Sequence, residues 1–591
     1  MGQKLVVVGG GLAGLMAALR AAEAGVQVDI LALGPCKRSH SACAQGGINA
    51  ALDTHGEGDS PWEHFDDTIY GGDFLANQTP VKGMCEAAPK LIHLFDRMGM
   101  QFNRTFEGLI DLRRLGGVKH HRVAFSGSTT GQQLLYALDE QVRRLEVEGR
   151  VTRYEGWEML SAVIDEGGAC RGVTAQDLKS MEIRAFPADA VTVATGGPGM
   201  IFGRTTNSII NTGHAASQLY RQGVKYANGE FIQIHPTAIP GADKNRLVSE
   251  SVRGEGGRVW TYRDGRPWYF LEEWYPAYGN LVPRDVATRA IFTVCVEMGL
   301  GIDGQNMVYL DMSHLDPRYI ERRLGGIIDI YQVFTGDDPR KIPMRIFPSV
   351  HYSMGGMWVD VDQMTNIPGI FAAGECEYQY HGANRLGGNG MLSAIYGGLV
   401  AGPSAVRYMK GLTRGSDSVP QVVFASEVRR QQEIEADILR LDGDENAYQL
   451  HQQLGHWMTQ NVTVVRHNDR LEKTLDRISE LRERCHRINI QDTSRWSNQS
   501  VTFTRQLGGM LELARVITLG ALLRNESRGA HYKPEYPERD DAEWLKTTIA
   551  THTPDGPVIS YEPVELQHLR PRVRKYDVDK EATGRAVQPA G

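Results

Sequence analysis

Five groups able to grip an anion stand in short segments broken by glycine or proline. They are His235 in "EFIQIHPTAIPG", Arg253 in "LVSESVRGEGGR", Arg284 in "NLVPRDVATR", His351 in "FPSVHYSMGG" and Arg385 in "YHGANRLGGNGML". A guanidinium fork matches a carboxylate two hydrogen bonds at a time, so several forks together predict an anion site. Two or more such clamps imply a substrate with two carboxylates. The glycine and proline punctuation predicts loops over a rigid scaffold rather than helix faces. Singly, each residue has a plainer reading, because most arginines are solvated or salt-bridged and most histidines are structural. The same holds for His40 in "RSHSACAQGGINAAL", by itself an ordinary loop histidine.

The elements that must position these groups begin at the N-terminus. Residues 4–33 read as strand, glycine turn, helix and strand, the helix ending at Gly25. The turn satisfies G-x-G-x-x-G at Gly9, Gly11 and Gly14. Those glycines permit a tight turn, close approach of a pyrophosphate and close helix–strand packing, while the helix N-terminus offers free N–H groups to phosphate. The acid expected at the end of the second strand is missing, since Asp29 lies mid-strand and the terminal position is Ala32. Two later segments, "AVTVATGGPG" (190–199) and "GIFAAGECEY" (369–378), are apolar strands that break into small residues. The second offers Glu375 as a ribose acid. A nucleotide domain interrupted by an insertion follows, and the distant second strand–glycine element fits FAD better than NAD.

"SPWE" predicts a helix start, with Ser60 as N-cap and Pro61 in the first turn. Further on, "LEKTLDRISELRERC" puts Leu471, Leu475, Ile478, Leu481 and Cys485 on one face of an amphipathic helix, a core stripe. Residues 424 to about 530 read as a helical bundle, followed by a polar, proline-punctuated tail.

Bulk properties exclude several classes. A chain of 591 residues needs more than one core. Its 41% hydrophobic and 23% charged content is that of a soluble globular protein, and a net charge of −7 without a basic stripe argues against nucleic acid. No unbroken run of 18 apolar residues predicts a membrane span, and no secretory signal pattern opens the chain. The seven cysteines are scattered without a C-x-x-C pair, so no metal or iron–sulfur site is expected.

The segments "KRSHSACAQGGINAAL", "GEGDSPWEHFDD", "HPTAIPG", "RGEGGR", "HYSMGG", "GANRLGGN" and "RNESRGAHY" resemble the flavoprotein subunit of succinate dehydrogenase/fumarate reductase, most closely the bacterial succinate:menaquinone type. The resemblance runs to about residue 545 and implies an α/β chain: a Rossmann-like FAD-binding domain with an inserted α+β capping domain, followed by a C-terminal helical domain. The expected boundaries are 1–230 and 347–423 for the FAD-binding domain, 231–346 for the capping domain, 424–540 for the helical domain and 541–591 for a tail or small domain.

By the resemblance, His40 carries FAD covalently, and Ser39, Gly47, Asn389, Gly390 and Met391 join Gly9, Gly11, Gly14 and Glu375 around the cofactor. Arg284 moves the proton at the substrate carbon, with Glu250 and Arg253 relaying it to solvent. His235, Ser249, His351 and Arg385 hold the substrate carboxylates, and Gln45 and Gly46 line the site beside the flavin. The implied reaction interconverts succinate and fumarate by hydride transfer between a methylene carbon and flavin N5. The implied partners are an iron–sulfur subunit, a membrane cytochrome b anchor and, through them, quinone. They would make this chain a peripheral membrane protein on the cytoplasmic face of a bacterial inner membrane. Fumarate reduction as the working direction and an L-aspartate oxidase-like flavoenzyme are the alternatives; the latter lacks a histidine at the His40 position. Four residues depart from the pattern: Ser249 stands for threonine, Leu115 for an aromatic, His214 for an acid beside the flavin and Gly390 for serine.

Overall fold

A computed structural model describes residues 3–578. "LVVV" is apolar on both faces because its strand, Lys4–Val8, lies in the middle of a five-stranded parallel sheet. The order across the sheet is Ile370–Ala372, Ala190–Val193, Lys4–Val8, Gln27–Ala32 and Val151–Glu155. Both late strand–glycine segments thus join the N-terminal nucleotide unit. Helix Leu12–Glu23 covers one face and packs against helix Asn389–Lys410 through small residues. A Cβ at Gly398 would lie 2.3 Å from the Ala13 carbonyl oxygen, which is how close the two backbones come.

The insertion builds a six-stranded antiparallel sheet in the order Arg246–Leu247, Ile232–Ile239, Met344–Ser353, Val308–Asp311, Arg258–Arg263, Arg266–Trp268. Strand Met344–Ser353 pairs with Val308–Asp311 at its start and with Ile232–Ile239 farther along, so a boundary at 346/347 cuts one continuous strand. The chain leaves the insertion inside that strand, and one extended segment serves both units.

Helices Gln421–Leu439, Ala447–Asn461, Asn468–Arg484 and Gln499–Leu523 form the helical part. Of the expected stripe, Leu471, Ile478 and Leu481 are buried, while Leu475 and Cys485 are half-buried. Helix Gln499–Leu523 is long and apolar enough to cross a membrane by composition, with mean hydropathy 1.3, yet 67% of that stretch is buried within the protein. It is a core helix of this fold.

The segment expected to be a polar tail contains a hairpin, Lys546–Thr553 and Gly556–Pro563. It extends a small sheet through Tyr226–Ala227 to Gly356–Met357. Its alternating threonines and charges hide a half-buried strand behind a polar composition. Beyond it, Arg572 pairs with Asp66 at 2.7 Å and Arg574 with Asp285 at 2.6 Å, tying the C-terminal segment back to the nucleotide unit and the insertion.

One largely buried ion network, with Asp541 at its half-exposed edge, braces the substrate side. Arg524 meets Glu230 at 2.8 Å and Glu526 at 2.9 Å, and Arg528 meets Glu526 and Asp541 at 2.8 Å each. Gly529 N–H donates to Asp73 at 2.9 Å, and a Cβ there would strike the Ala383 carbonyl at 2.5 Å, so "RNESRGAHY" is wedged under "GANRLGGN".

Candidate active site

The nucleotide unit and the insertion enclose a cavity of about 740 Å³, within the size range of cofactor and substrate sites. One end is the glycine turn. Gly9 holds φ +116°, and a Cβ there would lie 2.2 Å from the Ala194 carbonyl oxygen; one at Gly14 would lie 1.9 Å from the Gly9 carbonyl oxygen. Gly9 and Gly11 line the cavity, whereas Gly14 lies beneath, where the helix meets the strand. Leu12 N–H donates to Ser41 Oγ at 3.2 Å, which ties the His40 turn to this helix N-terminus.

His40 opens a short 3-10 turn, His40–Cys43, on the cavity wall. Ser208 N–H donates to its Nδ1 at 3.2 Å, and Asn207 Nδ2 lies 3.3 Å from Nε2. Crowding by surrounding protein, and then the charge of Lys244, push its ring down to about 4, so it is neutral at physiological pH. Ser39, Gln45, Gly46 and Gly47 continue the wall, and Ser39 Oγ and Gln45 Oε1 are buried without a protein partner. Gly47 holds φ +126°, with a Cβ position only 2.4 Å from Val123.

At the far end the predicted anion clamp assembles. Arg284 donates through Nε to Glu250 and through Nη1 to Gln233 Oε1, both at 2.9 Å. Arg253 donates to the other Glu250 oxygen at 2.8 Å and to the Asn280 carbonyl at 2.7 Å. Burial opposes the Glu250 charge, but Arg284 and Arg253 overcome it and hold the carboxyl below its usual range. His235 and His351 stack edge-on at 4.9 Å, and Thr206 Oγ1 holds His351 Nδ1 at 2.7 Å. Burial first, and then neighbouring cations, keep both rings far below their ordinary pKa and therefore neutral. Ser249 Oγ accepts from Ser251 N–H at 3.2 Å and from Ser251 Oγ at 2.8 Å, which leaves its own proton to donate.

Arg385 lies over the Tyr352 ring at 4.2 Å, with Nε unpartnered. Burial, reinforced by Arg284, lowers it to about 9. A Cβ at Gly390 would lie 2.7 Å from Arg385 Nη1, so the glycine departure makes room for this guanidinium. Gly390 and Met391 line the cavity at the start of helix Asn389–Lys410, whose positive end faces it.

Four expectations need correction. His235 and His351 lie in strands, Arg253 in the helical turn Ser251–Gly254 and Arg284 at the first position of helix Arg284–Phe292; only Arg385 is on a loop. The punctuation marks a strand irregularity between His235 and Ala238 and an N-cap, Pro283, rather than loops. Arg253 stands behind Glu250 and does not line the cavity. The Asn389 side chain turns into the fold, accepting from Asn49 at 2.7 Å and facing His64 Nε2 at 2.9 Å. Glu375 follows the edge strand, with two strands between it and Gln27–Ala32. It accepts from Ser353 N–H at 3.1 Å beside Arg385, so it serves the cation-rich end and not a ribose at the end of the second strand.

Three functional residues escaped the sequence reading. Gln233 orients Arg284 and also donates to the Arg385 carbonyl at 2.7 Å. Its i, i+2 relation to His235 in "IQIH" was the available signal. Buried Arg113 donates to the Gly46 carbonyl at 2.8 Å and the Gln45 carbonyl at 3.0 Å, fixing that loop, and Tyr352 carries Arg385. Nothing local in the sequence distinguishes Arg113 from a surface arginine.

The model of a FAD binding domain matches residues 4–391, and that of the fumarate reductase flavoprotein C-terminal region matches residues 451–576. The succinate dehydrogenase flavoprotein subunit of Bacillus subtilis is 67% identical over 98% of this chain and 99% of its own length. The chain belongs to the succinate dehydrogenase/fumarate reductase flavoprotein family. The fumarate reductase flavoprotein subunit of Escherichia coli is 32% identical over 98% of this chain and 97% of its own. A solved Escherichia coli quinol fumarate reductase chain superposes with TM-score 0.91 at 31% identity, covering 98% of this chain and all of that one. A Mycobacterium smegmatis Sdh1 chain superposes with TM-score 0.82 at 30% identity, covering 96% of each. The cavity is accordingly the FAD site of a family member. Its blocked Cβ positions at Gly9 and Gly47 and the unpartnered Ser39 and Gln45 atoms fit a bound dinucleotide.

Proposed function

We propose that this chain is the catalytic flavoprotein subunit of a complex II-type enzyme interconverting succinate and fumarate. The observation that carries this reading is the charge balance beside the FAD site: Arg284, Arg253 and Arg385 share one firmly ionised carboxylate, Glu250. Two neutral histidines and the Ser249 hydroxyl complete the wall, so the surplus charge suits a dianion.

Arg385, His351, His235 and Ser249 hold the two carboxylates. When bound, FAD supplies the two-electron acceptor and donor at the substrate carbon. Arg284 moves the accompanying proton. Arginine parts with a proton only in an unusual setting, and here the guanidinium is buried among other cations with Glu250 on its Nε edge. Glu250 and Arg253 carry the proton onward, Arg253 being held in place by donating to the Asn280 and Val282 carbonyls. Gln45 and Gly46 close the site against water.

Covalent attachment through His40 belongs to this proposal. Ser208 N–H satisfies Nδ1, the acceptor that a ring bonded through Nε2 retains. The same loop places Ile209 at the surface, 68% exposed, an apolar contact near His40 suited to an iron–sulfur subunit that takes the electrons onward. A membrane cytochrome b anchor and quinone would follow, with this chain peripheral on the cytoplasmic face of the membrane.

The deciding experiment gives the purified protein a dye acceptor and either succinate or L-aspartate. Succinate-dependent reduction that Arg284→Ala abolishes supports the proposal, whereas aspartate-dependent reduction alone replaces it with the oxidase alternative.

A further inference from the structure

The C-terminal segment crosses the molecule as a strap. Residues 564–576 form no helix or strand, yet they are held on both sides. On the nucleotide unit, the Gln78 side chain accepts from the His568 and Leu569 N–H groups at 2.7 and 2.8 Å and donates to the Leu569 carbonyl at 2.7 Å. Tyr70 Oη accepts from Lys575 N–H at 2.7 Å and donates to the Lys575 carbonyl at 3.0 Å. Arg572 donates to both oxygens of Asp66, at 2.7 and 2.8 Å.

On the insertion the strap grips two residues, and these bracket one short segment. Arg574 donates to both oxygens of Asp285, at 2.6 and 2.8 Å, and the two side chains are 7% and 1% exposed. Arg289, on the same helix as Asp285, reaches it only at 3.4 Å. Tyr576 packs edge-on against Tyr278, with ring centroids 5.0 Å apart. Between Tyr278 and Asp285 lie the Asn280 and Val282 carbonyls that hold Arg253, and then Arg284 itself. The Leu281 carbonyl accepts from Gly117 N–H at 2.7 Å, beside Gly116, whose N–H donates to Glu250 at 3.2 Å.

Burial opposes the Asp285 charge, but Arg574 overcomes it and holds the carboxyl below its usual range. For stability alone, an apolar pair of similar volume would serve a buried contact as well as an ion pair. A bidentate fork adds direction, because it admits one geometry. We propose that Arg574 is a positioning residue for the proton-transfer step: with Tyr576 it fixes the Tyr278–Asp285 segment, and so the Arg284 guanidinium, against the unit that carries the cofactor. The inference rests on Arg284 moving the proton, as proposed above, and assigns the C-terminal strap a part in that step.

The test uses the full chain with its flavin bound and a dye acceptor. Arg574→Met lowers succinate turnover per flavin by about ten- to a hundredfold, the cost of a displacement of about 1 Å at a reacting group. Malonate, a dicarboxylate followed by equilibrium dialysis, keeps its affinity within about threefold, because His235, Ser249, His351 and Arg385 lie outside the strapped segment. Arg574→Lys, which keeps the charge, recovers part of the turnover. Unchanged turnover per flavin in Arg574→Met, or equal losses of turnover and malonate affinity, overturn the proposal. If Arg574→Met does not fold with flavin, Arg574→Lys measured in the same way decides it. An unaltered chain without succinate turnover refutes the functional reading and this proposal together, whereas full turnover with no effect at Arg574 refutes this proposal alone.

Discussion

Two buried clusters of arginine and carboxylate lie on either side of the "GANRLGGN" loop, and they differ in their arithmetic of charge. Under the loop, Arg524, Arg528, Arg539 and Arg466 are matched by Glu230, Glu526, Asp541 and Asp73. Above it, Arg284, Arg253 and Arg385 share Glu250, and the neighbouring Glu375 is raised to about 7 by burial and so only partly ionised. The matched cluster is complete in itself and can only hold the chain together. The unmatched one is complete only when a dianion enters. Residue type does not separate structure from function here; the balance of charge does.

Removing the central cation of the unmatched cluster gives the largest effect. Arg284→Ala lowers succinate turnover by roughly 10³-fold or more while retaining bound flavin, a loss in the range of combined proton transfer and charge stabilisation. Steady-state rates per flavin check this. In the matched cluster Arg528→Met leaves Glu526 short of a partner and costs about 3–5 kcal/mol of stability, read as a lower melting temperature with turnover per flavin nearly unchanged. A turnover loss at unchanged stability would erase the distinction between the clusters.

Glu250→Gln sharpens the contrast. It raises the surplus positive charge, so inhibitor dicarboxylates bind as tightly or more so, while loss of the relay lowers turnover by about 10²-fold. Inhibition constants and rates from one preparation separate the two effects.

Much of this was legible in the sequence. The glycine turn, the FAD assignment and the four cations and imidazoles that line the cavity, His235, Arg284, His351 and Arg385, follow from residue type, because a fork for carboxylate and a glycine for pyrophosphate approach are local necessities. Which element carries each clamp residue was not legible: Pro283 and the irregularity after His235 mimic loop punctuation within regular structure. The matched network and the C-terminal hairpin escaped because their polar residues look solvated until long-range packing buries them. Arg113 was invisible for the same reason.

pH probes the histidines. His40 at about 4, His64 at about 3 and His214 at about 3 are all lowered by burial, as are His235 and His351. The unfolded chain therefore takes up protons below about 6.5 while the folded one does not. Stability is full above that pH and declines as pH falls toward 4, which thermal melts between pH 7.5 and 5 record as a falling midpoint. The smallest effect is Ser249→Ala, which removes one hydroxyl donor and raises the KM for succinate by a few-fold up to about tenfold.

The most direct test of the charge-balance account compares the binding of succinate with that of its monoamide, nearly identical in shape and one charge poorer. The account predicts that the dianion binds about 10²-fold more tightly, because the monoamide leaves a buried guanidinium unmatched, and that Arg385→Gln collapses the difference. Equal affinities in the intact protein would contradict it.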